Sequence, residues 1–121
     1  MSLGLAVIAA TGAQPLAAQV TVEKALGTAV VDRMIDGEAD EFSSDVGTLY
    51  FWSRVTDGAD MTIQHVWIYG DYEEVVELAI GGSPWRTWSS RNILPEWAGE
   101  WRIEVRDEQG NVLDTQRFTI S

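Results

Sequence analysis

The sequence predicts an all-β domain, with a seven-stranded immunoglobulin-like β-sandwich preferred over a small β-barrel. Two observations carry this expectation. Short runs of alternating β-branched and aromatic residues are separated by turns rich in Gly, Pro, Asp and Asn, and no segment sustains a 3.6-residue apolar period. The chain has no cysteine, so the disulfide of many immunoglobulin domains is excluded. Its six tryptophans must help to supply the core instead.

The first four predicted strands occupy residues 20–31, 47–55, 61–69 and 73–80. Val22, Leu26 and Val30 give the first run a loose period of two, and the second contains Tyr-Phe-Trp at 50–52. A carboxylate-rich loop at 36–45 separates them. The sequence Thr-Asp-Gly-Ala-Asp at 56–60 is typical of a turn, which predicts that the second and third strands form a hairpin.

The last three predicted strands occupy residues 85–94, 101–106 and 112–120. The first of them follows the turn Gly-Gly-Ser-Pro and ends at Pro95, and the last two are joined by the turn Asp-Glu-Gln-Gly-Asn at 107–111. The alternation in these strands and in 73–80 predicts one shared core of Trp101, Ile103, Val105, Val76, Leu78 and Phe118.

Composition excludes several classes of function. The 121 residues carry a formal charge of −11, which argues against nucleic-acid binding because phosphate affinity requires a cationic surface. One histidine and no cysteine leave little for metal chemistry, and the loop at 36–45 lacks the ligand spacing of an EF-hand. Glycine loops and other cofactor motifs are missing as well. We therefore predict neither a metal nor a cofactor.

The N-terminal residues 1–19 resemble the end of a secretory signal peptide. An apolar run at 3–10 is followed by Pro15 and by small residues before Gln19. The run is too short to span a membrane, so we expect no transmembrane segment. These features predict a periplasmic or secreted protein whose domain occupies residues 20–121.

A cationic, tryptophan-rich strand is the candidate binding element. Residues 81–95 contain no acid within a strongly acidic chain, and this absence favours a surface that attracts an anion. The candidate residues are Arg86, Trp88, Ser89, Ser90 and Arg91, joined by His65 and Trp67 from the third predicted strand. Two alternatives stay open. The arginines can pair with acids elsewhere in the fold, and the surplus aromatic side chains can be covered by a loop, the N-terminal segment or a dimer partner.

Several segments together resemble the bacterial DUF2914 family, a domain of unknown function. The resemblance covers roughly residues 24–120 and is most specific at Trp-Arg-Thr-Trp-Ser-Ser-Arg, 85–91. The other segments are Val-Asp-Arg at 31–33, Phe-Trp-Ser-Arg-Val at 51–55, His-Val-Trp at 65–67, Gly-Glu-Trp at 99–101 and residues 105–113. This family often has Glu-Pro after the early arginine, Arg33, where the present chain has Met34-Ile35. The resemblance adds Arg33 to the candidate binding residues and implies an accessory domain of the cell envelope.

These observations predict a non-catalytic, exported β-sandwich that binds an envelope protein or a ligand. A carbohydrate-binding module is the alternative, followed by a small glycan-acting hydrolase. His65 could serve Ser89 or Ser90 as a base, but no Gly-x-Ser-x-Gly motif accompanies them. A homodimer is compatible with the apolar surplus. The sequence does not decide between a protein partner and a glycan.

Overall fold

The computed structural model describes residues 20–121, and the predicted signal-peptide segment at 1–19 lies outside this range. The described chain forms ten strands: β1 (Thr21–Gly27), β2 (Ala29–Val31), β3 (Met34–Asp36), β4 (Glu41–Phe42), β5 (Gly47–Thr56), β6 (Thr62–Tyr69), β7 (Tyr72–Ala79), β8 (Trp85–Ile93), β9 (Gly99–Arg106) and β10 (Val112–Ile120). The seven long strands correspond to the seven predicted runs, and β2, β3 and β4 are short additions. The described residues include no helix of the length and apolarity needed to cross a membrane.

The strands form a β-sandwich, as the sequence predicts. One sheet has the order β1-β5-β8, the other has the order β4-β10-β9-β6-β7, and β2 and β3 form a separate two-stranded hairpin. All pairings among the long strands are antiparallel, whereas β4 pairs with β10 in parallel. The two main sheets do not join into a closed barrel, so the sandwich is favoured over the predicted alternative.

Two predicted elements and one predicted strand pairing are wrong. The predicted strand at 20–31 is two strands, because the chain turns at Thr28, whose backbone NH donates to the carbonyl of Asp36 at 3.0 Å. The acidic loop at 36–45 contains β4, where Phe42 is buried in the core. β5 and β6 do not form a hairpin, because the turn at 56–60 carries the chain from one sheet to the other. A local turn signal cannot distinguish these two outcomes, since both require a reversal of direction.

The core lies between the two main sheets. Trp101, Ile103, Val105 and Phe118 are buried there as predicted, and Val76 and Leu78 pack against them while staying half-buried. Trp101 stacks on Tyr69 and Phe118, with ring centroids 4.7 and 5.7 Å away. This aromatic packing supplies the contact area that a small domain without disulfides requires.

Polar contacts bridge both open edges of the sandwich. At the β1–β10 edge the Lys24 ammonium donates to the Asp114 carboxylate and to the Thr115 carbonyl, both at 2.7 Å. At the β7–β8 edge the Arg91 guanidinium pairs with the Glu74 carboxylate and donates to the Tyr72 hydroxyl. Each edge is therefore tied to the opposing sheet by a cation.

Candidate anion-binding site

The β2–β3 hairpin packs over the outer face of the three-stranded sheet. Beneath it lies Trp52, an outward-facing residue of β5 that is only 4% exposed. The Trp52 indole NH donates to the Arg33 backbone carbonyl at 2.8 Å. The aromatic surplus on this face is thus covered by a segment of the same chain, which is one of the outcomes that the sequence left open.

The turn of this hairpin requires positive φ angles at two residues that are not glycine. Asp32 and Arg33 connect β2 to β3 with φ angles of 53° and 64°. A two-residue turn with both φ positive is normally occupied by Asn-Gly or Gly-Gly, because a Cβ crowds the backbone there. The hydrogen bond from Trp52 holds Arg33 in this conformation. Its guanidinium is consequently presented above the sheet by an anchored backbone.

Arg33 meets two further arginines on the outer face of the sheet. Arg54 of β5 and Arg86 of β8 are direct cross-strand partners. Together with Pro84, the three arginines line a cavity of about 350 Å³. We call Arg33, Arg54 and Arg86 the arginine cluster. Like charges placed opposite each other destabilise a sheet, so the cluster is not explained by strand pairing.

Carboxylates compensate the arginine cluster poorly. Arg54 approaches Glu23 of β1 at 3.9 Å, and both side chains are largely exposed, so this pair contributes little. Among the described residues, neither Arg33 nor Arg86 has a carboxylate within 4.0 Å. Arg86 instead contacts the Met34 sulfur through Nη1 at 3.3 Å. Three positive charges therefore share one cavity in a chain of net charge −11.

The second arginine of the predicted site, Arg91, belongs to a different environment. It points toward the opposing sheet, where its guanidinium carbon lies 4.7 Å from the Tyr72 ring centroid and 5.2 Å from that of Trp97. Glu74 neutralises its charge. Of the two arginines that the sequence offered, Arg91 does not share a surface with Arg86, because residues five apart on a strand face opposite sides of its sheet.

His65, Trp67 and Ser89 lie inside the sandwich rather than on the predicted surface. The His65 imidazole is fully buried, with Nε2 2.8 Å from the Ser53 hydroxyl and Nδ1 2.7 Å from the Ser89 hydroxyl. The Trp67 indole NH donates to the same Ser89 oxygen at 3.0 Å. These side chains face inward from β5, β6 and β8, so they form a polar network between the two sheets.

The chemistry of this network is that of a neutral imidazole. Burial lowers the pKa of His65 to about 3, since the charged form would lose its hydration without gaining a carboxylate. The Ser89 hydroxyl is a hydrogen-bond partner of the ring, as a serine–histidine pair requires. The other ring nitrogen, however, contacts the Ser53 hydroxyl instead of the acid that orients the base in a catalytic triad.

The remaining predicted residues, Trp88 and Ser90, lie on the outer face of the three-stranded sheet. Ser90 is exposed, and Trp88 is half-buried opposite Trp52 on the face that carries the arginine cluster. The residue that the sequence did not single out is Arg54. Its role depends on the pairing of β5 with β8, whereas the turn signal at 56–60 led us to pair β5 with β6.

A larger cavity of about 510 Å³ lies over the outer face of the five-stranded sheet. Three carboxylates and two arginines line it: Asp40, Glu41, Glu100, Arg102 and Arg117. The charges there are mixed, and Arg102 already bonds Glu104 at 3.1 Å. Within residues 20–121 no group of three or more histidine or acidic side chains is arranged to hold a metal ion.

A β-sandwich with an arginine cluster on one outer face is the class of protein that these observations define. The family model described as "Protein of unknown function (DUF2914)" matches residues 60–120, half of the chain. The chain belongs to this family, as the sequence resemblance predicts. The matched range includes Arg86 but begins after Arg33 and Arg54.

Other comparisons add little. Among solved structures, the chain is similar to a β-glucosidase from Listeria innocua in complex with glucose, at 12% identity and a TM-score of 0.49. The similarity covers 84% of this chain and 16% of that one, and it carries no argument about function. A search of curated proteins found no match.

Proposed function

We propose that this protein is a non-catalytic binding domain of the bacterial cell envelope that holds an anionic group of its ligand at the arginine cluster. The observation that carries the proposal is the convergence of Arg33, Arg54 and Arg86 on one cavity, where the carboxylates of residues 20–121 provide a single weak contact. A guanidinium presents several N–H donors in a planar fork, which suits carboxylate, sulfate and phosphate oxygens. Bound anion would relieve the repulsion between Arg54 and Arg86.

Two further observations support the non-catalytic and exported parts of the proposal. The serine–histidine pair is buried at the centre of the sandwich, where a substrate has no access to it. The apolar run at 3–10 and the small residues before Gln19 are typical of an export signal. Formation of a homodimer stays a prediction.

The test is calorimetric titration of the full chain with sodium sulfate and with sodium phosphate at low ionic strength. We expect measurable binding that weakens as salt rises. Each of Arg33→Ala, Arg54→Ala and Arg86→Ala should lower the affinity by about tenfold or more, the value of one charge-assisted hydrogen bond.

Arg117→Ala is the matched control, because Arg117 is an exposed arginine of β10 on the other sheet. The control should bind as the parent protein does. Binding that is lost in Arg117→Ala and retained in the cluster variants would move the site to the larger cavity. Absence of binding in the parent protein would overturn the proposal.

A further inference from the structure

The apolar side chains around the arginine cluster suggest what supplies its anion. Val31 and Met34 flank the two-residue turn and are direct cross-strand partners, with exposed fractions of 53% and 47%. They are two of only five large hydrophobic residues exposed among residues 20–121. The hairpin therefore ends in an exposed apolar pair beside the turn Asp32-Arg33, whose arginine belongs to the arginine cluster.

This apolar pair and the arginine cluster form one continuous surface. Met34 contacts Arg86 through its sulfur at 3.3 Å, and Arg33 lies between Val31 and Met34 in the chain as part of the turn. Solvent-exposed hydrophobic side chains next to cationic ones match the boundary of a lipid bilayer. There, apolar groups enter the acyl region while arginines meet the phosphates.

We propose that the β2–β3 hairpin docks this domain onto an anionic phospholipid surface, with headgroup phosphates at the arginine cluster and with Val31 and Met34 inserted beside them. This inference rests on the proposed function, since it identifies the anion as a lipid phosphate. Charge complementarity selects the lipid surface, and two side chains at a hairpin turn offer too little apolar area for the core of a stable protein interface.

The charge distribution of the molecule gives the docking one orientation. The formal charge is −11, so an anionic membrane repels most of the protein surface. Arg33, Arg54 and Arg86 concentrate positive charge at one cavity, and this favours the orientation that brings the hairpin turn toward the lipid. Among the exposed hydrophobic residues, Val75 and Val112 lie on β7 and β10 of the other sheet. We therefore expect those two residues to stay in water.

The experiment is co-sedimentation of the full chain with vesicles of phosphatidylcholine containing about one-third phosphatidylglycerol, beside vesicles of phosphatidylcholine alone. Inorganic phosphate and polyglutamate are titrated separately. We expect binding to the anionic vesicles only. Each alanine variant of the cluster should weaken it by about fivefold, the effect of one basic residue near an anionic surface.

The apolar contribution is tested with neutral polar variants that add no charge. Val31→Asn and Met34→Gln should each weaken vesicle binding by about fivefold, and Val31→Asn, which replaces no contact of the cluster, should leave phosphate binding unchanged. Val112→Asn is the matched control, because Val112 is a valine of similar exposure at 50% on the other sheet. It should bind vesicles as the parent protein does.

The alternative outcomes separate this inference from the proposed function. If inorganic phosphate binds but anionic vesicles do not, or if vesicle binding ignores Val31→Asn and Met34→Gln, the lipid inference is wrong and the anion site stands. Binding of polyglutamate alone would identify an acidic protein segment as the ligand. Equal binding to neutral vesicles would show attachment through another apolar segment and would also overturn the inference. Failure of all probes would reject both proposals.

Discussion

The two outer faces of the sandwich use arginine in opposite ways. On the five-stranded sheet, Arg102 and Arg106 of β9 flank Glu104 at 3.1 and 2.7 Å, so these two positive charges share a carboxylate of their own strand. On the three-stranded sheet, Arg54 and Arg86 face each other, and Arg33 is held above them by the hairpin. The first arrangement stabilises the fold by itself, whereas the second is completed only by an external anion.

We call the outer face with Arg102, Glu104 and Arg106 the paired face. The pKa of Glu104 shows that its ion pairs stabilise the ionised carboxylate. Burial alone would raise it, but the hydrogen bonds from Arg106 and Arg102 outweigh burial and lower the pKa below its ordinary value. A carboxylate with a lowered pKa contributes stability that is present above its unfolded pKa and lost as the pH falls through the folded pKa. The difference between the faces teaches that pairing, rather than exposure, separates a structural arginine from a candidate binding arginine.

The largest expected effect concerns the core beneath the paired face. Trp101→Ala should lower the free energy of unfolding by about 3–5 kcal/mol, because it removes a buried aromatic side chain that stacks on two others. Trp88→Ala is the comparison, since Trp88 is half-buried on the face with the arginine cluster and should cost clearly less. Denaturant titration measures both. A loss below about 1 kcal/mol for Trp101→Ala would contradict the packing described for the core.

The second prediction compares the core with the paired face by their response to pH. As the pH falls, stability should first decrease because of His65 in the core, and only at lower pH because of Glu104. The folded pKa of His65, about 3, lies below its ordinary value of 6.5, so the unfolded chain binds the extra proton between these values. Stability is therefore full above pH 6.5 and falls as the pH decreases, by about 2 kcal/mol at pH 5. His65→Gln should remove most of this dependence, as measured by denaturant titration from pH 7 to 5.

Protonation of Glu104 lowers stability only at a pH below the range used to test His65, so it does not affect the measurement from pH 7 to 5. Its ion pairs are lost only as the pH falls below the ordinary carboxyl pKa of 4.5. A pH dependence that persists unchanged above pH 5 in His65→Gln would mean that groups other than His65 control acid stability in this window.

The third prediction compares the faces directly by single substitutions. Glu104→Gln should destabilise the protein by about 1–2 kcal/mol, because it leaves Arg102 and Arg106 opposite a neutral group. Arg86→Ala should change stability by less than about 0.5 kcal/mol or increase it, since it removes a like-charge pair. Thermal and denaturant unfolding at low salt check both variants. Equal destabilisation by the two would mean that both faces are structural.

The smallest expected effect lies at the hairpin turn. Arg33→Gly should raise the free energy of unfolding by up to about 1 kcal/mol, because relief of the positive-φ strain exceeds the entropy that glycine adds to the unfolded chain. The same variant should weaken binding of sulfate and phosphate. Arg33→Lys is the control, since it keeps the strain and the charge. A destabilised Arg33→Gly would show that the arginine contributes to folding rather than to binding.

The prediction of the fold depended on signals that act over short distances. Alternation in residues 101–106 and 112–120, with the turn between them, was sufficient to pair β9 with β10 and to place Trp101 and Phe118 in the core. Strand periodicity determines which side chains share a face, so these assignments required no knowledge of the neighbouring strands.

The composition of the candidate site could be predicted only in part from short-range signals. The acid-free segment around Arg86 and the resemblance at Arg33 could both be recognised from the sequence, but Arg91 and His65 were grouped with them by composition alone. Arg91 meets Glu74, and His65 meets Ser53, across contacts between opposite sheets. Such contacts depend on how the two sheets pack against each other, and composition carries no information about that packing.

The sequence by itself determined the seven long strands, the alternation of their faces, the acidic charge and the cationic character of β8, because each of these follows from neighbouring residues. Only the tertiary structure decided that β5 lies between β1 and β8, and this pairing brings Arg54 beside Arg86. It also decided that the β2–β3 hairpin folds back over Trp52 and adds Arg33 to the same cavity. The physical reason is that sheet order results from the packing of all strands at once, whereas periodicity acts within each strand alone.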